Sequence, residues 1–165
     1  MAMVDQLLFI KEFREQQAET ALQKSRLALA DARRQEELAQ QELERFIAQA
    51  REDELSWYRE LCSRVVKLRD IESVQTDVAI LRAQEAARAQ QRDAAVTHRE
   101  QAQSSFSQAT QHMKEASTAR NKFEEMARQH HALVAKEAER KEDLELEELA
   151  SIVREREEVD LQVDG

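Results

Sequence analysis

Apolar side chains recur at spacings of three, four or seven residues through roughly the first 70 positions, with polar residues between them. This periodicity predicts an amphipathic helix whose apolar stripe pairs with a second helix. Glu15 and Glu36 fall on the same stripe, so the predicted seam is not wholly apolar. The stripe consists of Leu22, Leu29, Ala32, Ala39, Leu43, Phe46, Ala50, Trp57, Leu61, Val65 and Leu68.

A second stripe begins at Val74 and continues through Val78 and Leu81, which predicts a second helix. It weakens where Glu85, Arg88 and Arg92 take the expected apolar positions. It recovers at Ala102, Phe106, Ala109, Met113, Ala116, Phe123, Ala127 and Val134. The seam residues expected to pack most strongly are Leu22, Leu29, Leu43, Phe46, Trp57, Leu61, Phe106, Met113 and Phe123.

The phase of the stripe is lost between Leu68 and Val74, which predicts a turn at about residues 67–72. Asp70 and Ser73 are candidate N-cap residues, because a short side-chain oxygen can accept hydrogen bonds from free amides at a helix start. A basic cluster is expected in the last turn of the preceding helix, where the helix dipole favours positive charge. The cluster is Arg64, Lys67 and Arg69. We therefore expect helix one over about 4–66 and helix two over about 71–155.

The composition favours a thin helical structure over a compact globule. The chain has no proline, its single glycine is Gly165, and 36% of its residues are charged while only 4% are aromatic. One helix of this length would extend roughly 250 Å at about 1.5 Å per residue and could not bury its own stripe. The expected fold is therefore all-α: one domain, residues 1–165, forming a long antiparallel two-helix coiled coil, a helical hairpin with a longer second helix. We expect a monomer in isolation, with a homodimeric coiled coil as the alternative.

The negative charge is concentrated near the C-terminus. Of the net charge of −9, residues 136–165 carry −7, from 12 acidic and 5 basic side chains. This acidic overhang has no predicted partner within the hairpin, so it hangs free, projects as a single helix or binds another molecule. No basic stripe compensates the acidity, which argues against nucleic-acid binding.

Nothing in the sequence predicts catalysis, a metal site or a cofactor. Cys62 is a lone cysteine, and His98, His112, His130 and His131 lack the spacing of metal ligands on one helix face. A phosphate loop or a nucleophile elbow would need internal glycine. The N-terminal segment lacks the basic start of a signal peptide, and no apolar run is long enough for a membrane span, so a cytoplasmic protein is expected.

Three stretches carry a resemblance to a known family. They are "LRDIESVQTDVAILRAQE" at 68–85, "ARNKFEEMARQ" at 119–129 and the acidic "KEDLELEEL" at 141–149. With the length and the unequal helices, they make the chain resemble the YscO/FliJ family, the stalk proteins of type III secretion, and more closely its injectisome branch. Asn121, Lys122 and Phe123 match an NKF element associated with that branch.

The resemblance implies a hairpin that links the hexameric export ATPase to the cytoplasmic domain of the export gate, with secretion chaperones as possible further partners. The implied gate-facing residues are Tyr58, Lys67, Arg69, Val78, Leu81 and Arg88. Val78 and Leu81 are also predicted seam residues, so packing within the hairpin is the alternative role for them. The implied ATPase-facing residues are Leu8, Phe13, Phe123 and Val134. The alternative function is that of a generic coiled-coil scaffold, tether or chaperone.

Overall fold

The computed structural model describes residues 2–165, and these residues form two α-helices. Helix α1 spans Met3–Ser63 and helix α2 spans Leu68–Val163, with 61 and 96 residues. The predicted fold class, an all-α helical hairpin with a longer second helix, is confirmed. The chain divides into two compact units: a turn unit, Ala18–Met113, and a terminal unit, which comprises the chain up to Gln17 and from Lys114 onward.

The connection between the helices lies at residues 64–67, a few positions before the segment expected from the loss of phase. The difference follows from the role of Asp70. Its carboxylate accepts a hydrogen bond from the backbone N–H of Lys67 at 3.0 Å, and its own N–H donates to the Lys67 carbonyl at 3.0 Å. Asp70 thus lies in the first turn of α2 and reaches back to the N-cap residue, as the acidic member of a capping box does. Helix α2 therefore starts at Leu68, before both Asp70 and Ser73, so neither of them is the N-cap residue.

The basic cluster does not occupy the end of α1 as expected. The last turn of α1 contains no basic residue; Arg64 and Lys67 lie in the connection, and Arg69 lies in the first turn of α2. Val65 and Leu68, which were assigned to the first stripe, also leave the seam, because they are 101% and 71% exposed. The first stripe therefore ends near Leu61, and the residues after it form an exposed turn.

In the turn unit, α1 buries small and aliphatic residues on one face, at spacings of three, seven and eleven that fit the heptad-like stripe. The buried residues of α1 are Ala18, Leu29, Ala32, Leu43 and Ala50. The other predicted seam residues of this unit are half-buried: Leu22, Phe46, Trp57, Leu61, Phe106 and Met113. Alanine at so many seam positions buries little apolar area per turn, so the few larger buried side chains carry most of the hydrophobic stabilisation.

Side-chain contacts between α1 and α2 show that the helices of the turn unit are antiparallel. Partner numbers fall along α2 as they rise along α1. The pairs are Arg33 with Gln103, Glu36 with Arg99, Gln40 with Arg92 and Glu54 with Arg82, at 3.0, 2.8, 3.3 and 3.0 Å.

The terminal unit has the same antiparallel arrangement. Asp5 meets His131 at 2.8 Å, and Glu15 meets Arg120 at 3.1 Å. Between them, the Lys11 ammonium lies 5.2 Å from the centre of the Phe123 ring. Ala127 is the one buried residue that α2 contributes in the described part of the chain.

Helix α2 continues well beyond its last contact with α1. Every residue from 128 to 165 is exposed, and the helix runs to Val163, eight residues past the expected end. The acidic overhang of residues 136–165 is therefore a helix with no covered face over almost all of its length.

Candidate interaction surfaces

The charged residues that interrupt the apolar stripes are part of the seam. Glu36 and Arg99 form an ion pair at 2.8 Å, and each side chain is 29% exposed. Arg88 lies over the Phe46 ring at 4.0 Å from the centroid. Polar groups at seam positions are known to fix register in coiled coils, because any slip would leave them without partners. The weakening of the second stripe thus marks a polar segment of the seam.

The terminal unit contains a second charged seam cluster. Arg120 donates to Glu15 across the helices at 3.1 Å and to Glu124 along α2 at 2.7 Å. The hydrogen bond to Glu15, with the charge of Glu124, raises the pKa of Arg120. An arginine is already charged at any ordinary pH, so the raised pKa leaves the charge of Arg120 unchanged near neutrality.

The gate-facing candidates fall into two groups. Val78, Leu81 and Arg88 are half-buried at seam positions of α2, and Arg88 is held by Phe46. Tyr58, Lys67 and Arg69 are exposed. The second group therefore provides the accessible part of the predicted surface.

Apolar residues around the turn were not identified as surface residues from the sequence. Val65 is fully exposed and Leu68 is 71% exposed, while Ile71 and Leu55 are 36% and 51% exposed. Their basic neighbours are Arg59, Arg64, Lys67 and Arg69. Leu55 and Ile71 could have been found from the sequence, because both lie off the stripe, where an apolar residue has no partner in the hairpin.

A small cleft of about 140 Å³ lies beside the turn. Its walls come from the last turns of α1, the connection and the first turns of α2: Trp57, Glu60, Leu61, Arg64, Asp70, Ser73 and Val74. The cleft is large enough for one side chain of a partner, and its lining is partly apolar and partly charged. With the exposed residues around it, it defines what we call the turn surface: Tyr58, Val65, Lys67, Leu68 and Arg69.

The ATPase-facing candidates also divide by exposure. Leu8 and Phe123 are half-buried, and Phe123 is covered by Lys11, so these two side chains pack within the hairpin. Phe13 and Val134 are each 53% exposed.

Exposed apolar residues near the N-terminus were missed as a group. Met3, Phe9 and Ile10 are 77%, 68% and 43% exposed, and they accompany Phe13 on the first turns of α1. Aromatic side chains on a surface are a signal of protein interfaces. We call Met3, Phe9, Ile10 and Phe13 the terminal surface.

Residues 2–165 offer no group of three or more histidine, cysteine, aspartate or glutamate side chains placed to hold a metal ion. Over the same residues, neither helix has a stretch apolar and long enough to cross a membrane. Cys62 is exposed.

The chain is a helical hairpin with charged residues in its seam. It exposes apolar and aromatic residues at its turn and near its N-terminus, which is typical of helical proteins that bind other proteins. Its family follows from comparison with known proteins. A family profile described as "Type III secretion protein YscO" matches residues 4–152, so the chain belongs to the YscO family of type III secretion proteins. The chain is therefore a non-enzymatic component of type III secretion, and the predicted resemblance is confirmed.

A solved structure agrees with this assignment. The crystal structure of type III secretion protein YscO from Vibrio parahaemolyticus has a TM-score of 0.82 and 25% sequence identity, covering 88% of this chain and 92% of that one. No curated protein gives a significant match. Family membership places the chain in type III secretion and does not itself distinguish a stalk from the scaffold or chaperone that the sequence left open.

Proposed function

We propose that this chain is the cytoplasmic stalk of a type III secretion system, linking the hexameric export ATPase to the cytoplasmic domain of the export gate. The observation that supports this proposal is the presence of two exposed surfaces of different chemistry. The turn surface is basic and aliphatic, whereas the terminal surface is aromatic and nearly neutral. Two surfaces that differ in this way suit two different partners.

The terminal surface is the proposed ATPase contact. Phe9 and Phe13 lie one helical turn apart and are both more than half exposed. Large aromatic side chains supply much of the binding energy when they enter apolar pockets of a partner. Leu8 and Phe123 support this surface from within the hairpin, since both are half-buried, and Val134 extends it on α2.

The turn surface is the proposed gate contact. Lys67 and Arg69 are exposed beside Val65 and Leu68, so an acidic partner surface with apolar residues would complement it. Tyr58 adds an aromatic residue that is 43% exposed. Val78, Leu81 and Arg88 are half-buried, so we assign them the role of holding the helices in place below the contact.

The proposal also includes the state and location of the chain. We propose a monomer in isolation, because the seam already occupies the heptad positions that a coiled-coil dimer would use. The location is the cytoplasmic face of the apparatus, where secretion chaperones are possible further partners. Sedimentation equilibrium should return the mass of one chain, and a dimer mass would contradict the monomeric state.

The two contacts can be separated with paired variants. Lys67→Glu with Arg69→Glu should weaken binding to the purified gate domain by about tenfold or more, and the loss should shrink at high salt because exposed charges are screened within about 10 Å at 0.1 M. Phe9→Ser with Phe13→Ser should weaken binding to the ATPase hexamer instead. Leu38→Ser is the matched control, since Leu38 is 58% exposed but lies outside both surfaces.

The assignment fails if each paired variant weakens both partners to the same degree. It also fails if the control variant behaves like either pair. Circular dichroism of all variants should show unchanged helicity, because the substituted side chains are exposed.

A further inference from the structure

The acidic overhang has an apolar face that nothing in the hairpin covers. The face consists of residues between 47% and 77% exposed: Leu146, Leu149, Ile152, Val153, Val159 and Val163. Helix α1 cannot reach it, because its first residues already pair with α2 near His131. A helix that is exposed all round has no tertiary packing to stabilise it, so an amphipathic face on such a helix calls for a partner.

The face is not a continuation of the seam. Beyond Leu144, the three-and-four spacing of the seam continues through Glu148, Ser151, Glu155, Glu158 and Gln162, which are all polar. The apolar residues of the overhang lie mostly one position later, at Leu149, Ile152, Val159 and Val163. At about 100° per residue, this offset turns the apolar face well away from the direction of the seam. The overhang therefore carries an independent stripe.

The negative charge of the overhang indicates what kind of molecule can cover this face. Residues 144–163 contain seven acidic and two basic side chains, a net charge of −5. A second copy of the helix would bring like charges together, and anionic lipids or nucleic acids would be repelled in the same way. A positively charged protein surface is attracted and desolvates the apolar stripe.

The distribution of charge along the helix also favours a positively charged partner. Glu157, Glu158 and Asp160 lie in the last two turns of α2, and its last turn has no basic residue. Negative charge is unfavourable near a helix C-terminus because the dipole is negative there. Lysine or arginine from a partner would offset this repulsion, so binding also stabilises the helix.

We infer that residues 146–163 are a docking helix that lies in an apolar groove of a protein partner whose rim carries lysine and arginine. This is helix-in-groove recognition, with anchors at i, i+3 and i+7 in Leu146, Leu149 and Val153. The family match ends at residue 152, whereas the stripe continues to Val163. None of the residues of this face belongs to the turn surface or the terminal surface, so the contact is additional to both surfaces of the proposed stalk and does not depend on them.

Site-specific photocross-linking in secretion-competent cells tests the inference with the full chain. A benzophenone amino acid at Leu149 or Val153 should cross-link to one and the same partner protein, while the same probe at Ser151 or Arg154 should give at most a fifth of that yield. The cross-linked peptides should come from an apolar groove flanked by lysine and arginine. Equal yields on both faces, a cross-link to a second copy of this chain, or no product would each overturn the inference.

A secretion assay provides the second readout. Leu149→Ser, Ile152→Ser and Val153→Ser together should reduce secretion about tenfold, whereas Leu144→Ser with Leu161→Ser, on other sides of the helix, should leave it unchanged. Both variants should melt at the temperature of the parent hairpin, since every substituted residue is exposed. Equal secretion by the two variants would overturn the inference, while the turn and terminal surfaces would remain to be tested by their own variants.

Discussion

Leu43→Ala tests the seam at one of its few large buried side chains. Leu43 is 5% exposed in the turn unit. The substitution removes three buried carbon atoms, worth about 2 kcal/mol at ~0.8 kcal/mol per CH₂ group. The remaining cavity adds to this loss, but a seam one layer thick closes around it more easily than a globular core does. We expect the free energy of unfolding to fall by about 2–3 kcal/mol, near the lower limit for Leu→Ala in cores.

Thermal and urea unfolding, followed by circular dichroism, measure this effect. At about 2–4 °C per kcal/mol for a chain of this size, the melting temperature should fall by roughly 5–10 °C. Leu38→Ala is the matched control, since Leu38 is 58% exposed on the same helix and its loss should cost less than about 0.5 kcal/mol. The loss of unfolding free energy for Phe123→Ala should lie between the losses for these two variants, because Phe123 is half-buried under Lys11. If Leu43→Ala and Leu38→Ala unfold alike, the assignment of the seam is wrong.

The other predictions concern the charged seam, the turn and the overhang. In a double-mutant cycle with Glu36→Gln and Arg99→Met, the coupling energy should be about 0.5–1 kcal/mol, and it should decrease in 1 M salt; a coupling near zero would show that the pair does not hold the helices. Asp70→Ala should increase hydrogen exchange at the start of α2 by releasing the N–H of Lys67, whereas Asp70→Asn should preserve most of the protection. Removal of residues 140–165 should lower the total helical signal without changing the melting of the hairpin, because these residues are exposed; a lower melting temperature would mean that the overhang packs on the hairpin.

The hairpin could be predicted from the sequence because its periodicity is long and its composition leaves few alternatives. Leu29 and Leu43 are buried where the stripe placed them. The position of the turn was less well specified, since there is no glycine or proline to mark it. The sequence predicted Asp70 as the N-cap residue itself, and only its bond to the N–H of Lys67 shows that it lies inside the first turn of α2.

The interaction surfaces were harder to predict than the seam. A heptad pattern identifies apolar residues that face another helix. It does not identify exposed apolar residues such as Phe9 and Leu55, which lie off the stripe. Arg88 takes a stripe position where an apolar residue is expected, yet it packs on Phe46 within the seam. Long arginine side chains can serve either a seam or a surface, and their spacing alone does not distinguish the two.

A bridging experiment tests whether one chain holds the export ATPase and the export gate at the same time. The ATPase hexamer is immobilised, the full chain is added, and retention of the soluble gate domain is measured. The proposed stalk predicts that the gate domain is retained only when the chain is present. With Lys67→Glu and Arg69→Glu, the chain should stay on the ATPase while the gate domain is lost. Displacement of the chain from the ATPase by the gate domain would contradict the claim, because it would mean that both partners use one surface.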